Sequence, residues 1–208
     1  MKRIFFFAIL FLTVFTVNAQ DSNKTNDLSE IEKKEFQKFA GEQIERFQNY
    51  LEIIGKKDEE YKVKDTYQKQ ALRLFMGRGD PYEDIYGNLQ KPVKMGVSRI
   101  RGNNKTSETN YPIKTYLKRL QDLPYARVDI TAANTHSISE LRKVGDHYES
   151  VATIFQRFCG YNAEGVHQYC DVTTKSIKIF LIEVEDIKGK KWIVLLGDIE
   201  VSETVGIQ

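Results

Sequence analysis

The sequence predicts an α+β fold in which three helices from the N-terminal half pack on a curved antiparallel sheet. In three segments between residues 29 and 123, apolar residues recur every three or four positions, which is the period of an amphipathic helix. From residue 125 onward, strand-like segments follow one another through short turns, and this order favours an antiparallel meander. We therefore expect a sheet of four long strands with one or two short ones, all in one domain.

The first two helices have local start and stop signals. Ser29 and Glu32 have the spacing of a capping box, so the first helix is expected to begin at Ser29. Gly55 suits its end, because glycine readily adopts the left-handed conformation that closes many helices. A second helix is predicted at about residues 58 to 76, with Gly77 as its left-handed cap.

The segment between the second and third helices is expected to contain short strands. Residues 92–100 begin with a proline, which is tolerated at the start of a strand, and predict one short strand. Residues 102–110 are polar and are interpreted as a loop. Asn110 is expected to cap the third helix, with Pro112 in its first turn and an apolar stripe that ends at Leu123.

The last part of the chain predicts four strands. Alternation in the first strand places Arg127 and Asp129 on an exposed face. In the second strand, Gln156 shares its face with Ile154 and Phe158, so it is expected to point inward as a lone polar group. The four segments are residues 125–133, 148–158, 170–186 and 190–205.

The first 19 residues are typical of a secretory signal peptide. Two basic residues precede an apolar run from Ile4 to Val17, and an A-x-A-like cleavage site ends at Ala19. The run is shorter than the roughly 20 residues of a spanning helix, and an uncleaved anchor or a buried helix is the alternative. Cleavage would leave residues 20–28 as a flexible lead-in and residues 29–208 as one domain. That domain would be exported, to the periplasm or the exterior, without stable membrane insertion.

Charge argues against nucleic acid as a partner. The full chain has 31 Lys and Arg residues and 29 Asp and Glu residues. Two of the basic residues and none of the acidic ones belong to the predicted signal, so the mature chain would have 29 of each. Without a net positive charge, no long-range field steers the protein toward nucleic acid or an anionic membrane.

The two cysteines of the chain, Cys159 and Cys170, flank a predicted turn at residues 162–165. If they were directly opposed in a hairpin, their Cα atoms would be about 4.5 to 5.5 Å apart, which a disulfide can bridge. A turn with a single bulge would instead place Cys159 opposite Tyr169, so pairing requires a longer loop or a second bulge. A disulfide is the favoured prediction, because a metal site would lack a fourth ligand and a catalytic thiol would lack a base.

The order of these elements resembles that of the NTF2-like, or cystatin-like α+β, superfamily, and in particular its small exported bacterial proteins of unassigned activity. The resemblance covers about residues 29 to 205 and depends on element order and length, since the sequence has no diagnostic motif. It implies that a strongly curved sheet wraps the helices into a cone with an internal cavity.

This resemblance, together with the lack of a recognisable catalytic motif, implies an exported binding or interaction module without catalytic activity, cofactor or metal. Its partner would be a small apolar ligand in the cavity or another envelope protein. Periodicity alone selects five candidate ligand-binding residues, which are Phe47, Tyr67, Tyr116, Gln156 and Phe158.

Two other functions stay open. A cofactor-free enzyme of the isomerase, dehydratase or cyclase type would need an ionisable side chain inside the cavity, beside a second polar group. The three histidines all fall in or beside predicted turns, outside the cavity: His136, His147 and His167. Homodimerisation through the outer face of the sheet would be favoured by exposure of Phe155, Ile177 or Ile179.

Overall fold

The computed structural model describes residues 27–207 except 85, 102–103, 133–136 and 188. Within these ranges the chain forms three α-helices and a large mixed sheet, so the predicted α+β class is confirmed. The predicted signal peptide and most of the lead-in lie outside the described residues. Of the lead-in, Leu28 is buried, and its backbone N–H donates to the Tyr148 hydroxyl at 2.8 Å. None of the described helices is long and apolar enough to cross a membrane.

Helix α1, Glu30–Gly55, begins where the capping box predicts. The Ser29 hydroxyl accepts from the Glu32 N–H at 3.3 Å, and the Glu32 carboxylate accepts from the Ser29 N–H at 2.8 Å. These bonds occupy backbone donors that the first turn of a helix leaves without partners. One side of α1 is buried through residues that include Ile44, Phe47 and Leu51.

Helix α2, Tyr61–Leu72, ends earlier than predicted. The carbonyl of Leu74 accepts from the N–H of Leu196 at 2.8 Å, and Phe75 bridges the same residue in parallel orientation. The backbone of these residues therefore pairs with a distant strand instead of extending the helix. Tertiary pairing has overridden an apolar pattern that is helical by period.

A turn of 3₁₀ helix at Met76–Gly79 follows. Gly77 has the predicted left-handed backbone, with φ of 64°, but it does not cap α2, whose C-cap is Arg73. The chain then forms a small hairpin of β1, Tyr82–Glu83, and β2, Leu89–Gln90. The ring of Tyr86, between these strands, lies 6.4 Å from that of His147. The hairpin therefore covers part of the large sheet.

Residues 102–110, interpreted from sequence as a loop, belong largely to a strand. Strand β3, Lys94–Arg101, pairs antiparallel with β4, Asn104–Pro112. Helix α3, Ile113–Gln121, starts directly after Pro112, so the prediction that Asn110 caps it is wrong. Strand β4 is an edge strand, and an edge strand can be polar because it has one pairing partner and needs little apolar cover.

The large sheet has the strand order β4-β3-β10-β9-β8-β5, and the short β6 and β7 also pair with β8. Three long antiparallel strands occur where the sequence predicts them, whereas the predicted first strand is short. The sheet is mixed rather than purely antiparallel, because β3 runs parallel to β10. Those two strands are far apart in sequence, so no hairpin sets their relative direction. The remaining bounds are β5 Arg127–Ala132, β6 Ser137–Ile138, β7 Arg142–Val144, β8 His147–Tyr161, β9 His167–Asp186 and β10 Gly189–Gly206.

One face of the sheet, here called the inner face, packs against α1 and α3. Gln156 of β8 contacts Gln48 of α1, and Lys175 of β9 lies below the ring of Tyr116 of α3. Helices and strands share one hydrophobic core, so the helices cover the sheet instead of forming a separate bundle. The opposite side of the strands is called the outer face.

The three side chains whose exposure would favour a homodimer divide between the two faces of the sheet. Phe155 is 41% exposed on the outer face, whereas Ile177 and Ile179 are buried on the inner face. Of the three residues, Phe155 alone therefore has the exposure that would favour a homodimer. Arg127 and Asp129 form the expected exposed pair on β5, with Nη2 and Oδ2 3.4 Å apart.

The two cysteines are directly opposed in the β8–β9 ladder and form a disulfide, with Cα atoms 4.1 Å apart. The register shifts between Gly160 and Tyr161, which accommodates one additional residue of β9, Gln168, just after the turn. Of the two arrangements that could align the cysteines, the chain uses the additional bulge. The bridge lies on the outer side of the strands, since Cys170 immediately precedes the inward-facing Asp171.

Candidate functional site

The inner face of β9 changes character along its length. Its C-terminal half contributes Ile177, Ile179 and Leu181 to the core, whereas Asp171 and Lys175 continue the same alternation in the N-terminal half. Both ionisable side chains are only 5% exposed. Together with polar neighbours they form what we call the polar cluster: Ser98, Tyr116, Tyr169, Asp171, Thr173, Lys175 and Thr204.

Lys175 has weak partners for a buried ammonium group. Among the described residues, its hydrogen-bonding contact is the sulfur of Met95, with Nζ and Sδ 3.9 Å apart. Nζ also lies 6.0 Å from the centre of the Tyr116 ring, at the outer limit of a cation–π interaction. Because a thioether is a weak acceptor, burial lowers the pKa of Lys175 to about 8, although the charge of Asp171 acts in the opposite direction.

The carboxylate of Asp171 has good partners. The Tyr169 hydroxyl donates to Oδ2 at 2.5 Å, and the side chain of Thr173 supplies a second hydrogen bond. Burial nevertheless raises the pKa of Asp171, while the two hydrogen bonds and the charge of Lys175 lower it in part. Burial and the neighbouring carboxylate both raise the pKa of Tyr169.

Hydroxyl groups extend the polar cluster across the sheet. The hydroxyl of Thr173 on β9 lies 3.2 Å from that of Thr204 on β10, and Thr204 is hydrogen-bonded in turn to Ser98 on β3. All three residues are buried. Each hydroxyl can donate or accept a hydrogen bond. The three hydroxyl groups can therefore reorient their protons when the charge of the neighbouring Asp171 changes.

Two of the five predicted ligand-binding residues lie at the border of the polar cluster, Tyr116 as one of its members and Gln156 beside it. Gln156 is buried and lies opposite Thr173 in the ladder, and its Nε2 donates to Oε1 of Gln48 at 2.7 Å. Nε2 of Gln48 has no hydrogen-bond partner among the described residues. Tyr116, the second bordering residue, is half-buried, and burial raises its pKa.

A third predicted residue, Phe158, belongs to an aromatic group at the same end of the sheet. Its ring centre lies 5.9 Å from that of Tyr125 and 6.1 Å from that of Tyr169. With Tyr116, these half-buried rings are called the aromatic rim: Tyr116, Tyr125, Phe158 and Tyr169. The rim joins the polar cluster to the protein surface.

The remaining two predicted residues, Phe47 of α1 and Tyr67 of α2, have aromatic contacts outside the polar cluster. Phe47 is fully buried and meets Phe75 edge-on, with ring centres 4.9 Å apart. Tyr67 of α2 lies 5.5 Å from Tyr50 of α1. The structure therefore gathers Tyr116, Gln156 and Phe158 at one site and gives Phe47 and Tyr67 contacts elsewhere.

Neither of the two described histidines belongs to the inner face. His147 is buried at the start of β8, on the outer side by strand alternation, and its Nε2 lies 2.9 Å from Oε1 of Glu149. The rings of His147 and Phe180 are 6.2 Å apart. His167 is exposed, and His136 lies outside the described residues.

Open depressions also occur on the helix surfaces. One, of about 500 Å³, runs along α3 beside Lys114, Lys118 and Arg119. Another, also of about 500 Å³, lies beside Gln37 and Glu42 of α1. None of the five predicted ligand-binding residues lines either depression.

Sequence reasoning did not identify Asp171 and Lys175. A signal was present, because counting back in steps of two from Ile179 and Ile177 reaches Lys175 and then Asp171. Polar residues at the inward positions of a strand indicate either a functional site or a wrong assignment of which residues face inward. The sequence does not show which residues of this strand face inward, because apolar residues occupy both of its sides.

The polar cluster can donate and accept hydrogen bonds, and the pKa values of its acid and its base are shifted in opposite directions, that of Asp171 upward and that of Lys175 downward. Within the described part of the chain, no three His, Cys, Asp or Glu side chains gather as a metal site. Comparisons with protein families, with curated proteins and with solved structures find no match to this chain.

Proposed function

We propose that the protein is an exported, non-catalytic binding module with an NTF2-like arrangement, and that its ligand is small and largely apolar. The supporting observation is the polar cluster at one end of an otherwise apolar inner face. Small-molecule sites are typically lined by apolar and aromatic side chains with a few polar groups that fix orientation. The inner face and the aromatic rim supply both kinds of group.

The ligand would reach the inner face through the aromatic rim. Tyr116, Phe158 and Tyr169 are half-buried, so rotation of their side chains would open a path from solvent to Lys175. The apolar part of the ligand would then contact these rings, and its polar part would meet the polar cluster.

Export is proposed on two grounds. The first 19 residues have the pattern of a signal peptide. The Cys159–Cys170 bridge is the kind of bond that persists in oxidising compartments. Cell fractionation with N-terminal sequencing of the mature chain tests this proposal, and an intact N-terminus in the cytoplasmic fraction would contradict it.

A neutral fluorescent probe, N-phenyl-1-naphthylamine, tests binding at the inner face. We expect saturable binding with one site per chain, and about tenfold weaker binding for Phe158→Ala, because the variant removes a ring of the rim. Phe155→Ala is the matched control, since Phe155 lies on the same strand but on the outer face. Absence of saturable binding, or equal weakening by both variants, would contradict the proposal.

The second candidate is a cofactor-free enzyme of the isomerase, dehydratase or cyclase type. The observation that favours it is an ionisable side chain, Asp171, beside a second polar group, Tyr169, in a buried setting. Burial raises the pKa of Asp171, which suits a group that exchanges a proton with a carbon acid.

Proton exchange distinguishes the enzyme from the binding module. Simple ketones such as cyclohexanone would be incubated with the protein in deuterium oxide, and exchange at the carbon beside the carbonyl would be followed by NMR. An enzyme of this type would accelerate exchange, and Asp171→Asn would abolish the acceleration. A binding module would give equal, background rates for both proteins.

An envelope protein partner and a homodimer stay proposals for the outer face. Phe155, Val151 and Val205 are exposed there. Light scattering on the purified protein measures the oligomeric state directly. A mass of two chains that falls to one chain for Phe155→Asp would support the homodimer, and a single-chain mass for the parent protein would exclude it.

A further inference from the structure

We infer that the ligand of the inner face is an amphipathic acid whose carboxylate pairs with Lys175. This inference rests on the proposed binding function and adds the chemical class of the ligand. It begins from the contacts of the lysine itself. A buried ammonium is costly unless it is paired and hydrogen-bonded, and the contact available to Lys175 among the described residues is the sulfur of Met95.

The neighbouring carboxylate does not complete the coordination of Lys175. Asp171 accepts hydrogen bonds from Tyr169 and Thr173. No hydrogen bond or ion pair joins Asp171 to Lys175 in the described part of the chain, although their charges act on each other at longer range. The ammonium therefore keeps donors that a further oxygen acceptor can use.

The surroundings of Lys175 favour an acid with an apolar body. Tyr116 lies above Nζ, and Phe158 and Tyr169 continue the aromatic rim toward solvent. An acid that enters through the rim would place its carboxylate at Nζ and its apolar part among the rings. In this low-dielectric setting, a charge-assisted hydrogen bond is stronger than one between neutral groups.

The test uses two competitors that differ in charge but share their rings, 2-naphthoate and 2-naphthalenemethanol. Each displaces N-phenyl-1-naphthylamine from the protein at pH 7. We expect 2-naphthoate to bind about tenfold or more tightly than the alcohol, the effect of one charge-assisted hydrogen bond. Lys175→Met is expected to abolish this preference by weakening 2-naphthoate alone.

Lys178→Met is the matched control, because Lys178 lies on the same strand but faces outward, with its side chain 51% exposed beside Glu200. It should keep the preference for the acid. A second measurement needs no variant. Because Lys175 has a pKa of about 8, binding of 2-naphthoate by the parent protein should weaken as pH rises from 7 to 10, whereas binding of the alcohol should not.

The outcomes separate the two proposals. Probe binding with no preference for the acid, or a preference that survives Lys175→Met, overturns the inference about the head group and leaves the binding function standing. Failure of the probe and both naphthalenes to bind overturns the binding function, and the inference with it. Loss of the acid preference in Lys175→Met and at high pH supports both.

Discussion

The two halves of the inner face of β9 are equally buried but differ in what burial does to the free energy of folding. In the C-terminal half, Ile177, Ile179 and Leu181 lose contact with water, and this stabilises the fold. In the N-terminal half, Lys175 and Asp171 occupy the corresponding positions, and burial of their charged forms opposes folding.

The two halves therefore contribute differently to the protein. An aliphatic side chain at position 175 would continue the pattern of the C-terminal half and would not require a partner. Residues that break a stabilising pattern without a local gain tend to occur at functional sites. The polar half is therefore where we place function, and the apolar half is the scaffold that holds it.

The largest expected effect comes from making the polar half resemble the apolar half. We expect Lys175→Met to raise the free energy of unfolding at pH 7 by about 3 kcal/mol, because the pKa of Lys175 is about 8 in the folded protein against 10.5 when exposed. Urea denaturation of the parent and variant proteins measures the difference.

The pH dependence of this gain has a definite sign. Between about pH 8 and 10.5 the unfolded chain keeps the Lys175 proton that the folded protein has lost, so the parent protein becomes more stable as pH rises. The advantage of Lys175→Met should therefore be full below pH 8 and shrink toward pH 10.5. A variant less stable than the parent protein, or a difference in the free energy of unfolding that does not change with pH, would contradict the claim that Lys175 destabilises the fold. The outward-facing Lys178→Met should show no such dependence.

The second-largest expected effect concerns the Cys159–Cys170 bridge. It lies on the outer face of the polar half of β9, where Cys170 immediately precedes Asp171. Replacing both cysteines by alanine should lower the free energy of unfolding by about 2 to 3 kcal/mol, the chain-entropy value for so short a loop. Adding Lys175→Met to this double variant should restore most of the loss, because its expected gain is of similar size and independent effects add.

Mass spectrometry supplies the control for the cysteine variants. Reduction of the parent protein should add about 2 Da, because each sulfur gains one hydrogen. An unchanged mass would show that no bridge is present. An unchanged midpoint of denaturation in the double alanine variant would show that the bridge does not stabilise this end of the sheet.

Local signals in the sequence were sufficient to predict some features of the structure. The capping box at Ser29 and the stripe of α1 are properties of neighbouring residues, and both were predicted. The cysteine pair could be anticipated from the turn between them, but the bulge that aligns the sulfurs could not. A register shift of one residue depends on the whole β8–β9 ladder rather than on the turn sequence.

The polar half of β9 could not be predicted from the sequence, because this strand has apolar residues on both faces. Phe180 and Ile182 are partly buried on the outer face, where Phe180 lies against His147, while Ile177 and Ile179 fill the inner face. A strand that is covered on both faces has a nearly continuous apolar sequence, and this sequence does not show which residues face the core. Strand β4 was missed for the converse reason, since a polar edge strand lacks alternation altogether.

The smallest expected effect tests whether the cost of the polar half extends to its neutral groups. Gln156→Met removes the donor to Gln48, whose own Nε2 already lacks a partner among the described residues. Both polar atoms of the buried Gln48 amide would then be unpaired, so we expect a loss of about 1 to 2 kcal/mol.

The double variant Gln48→Met/Gln156→Met should be close to the parent protein in stability, because two apolar side chains leave no buried polar group to satisfy. The four proteins form a double-mutant cycle, read by urea denaturation. A double variant that is destabilised by as much as either single variant would show that this amide pair stabilises the fold. The contrast between the halves of β9 would then be limited to its charged residues and would not describe the whole polar end of the inner face.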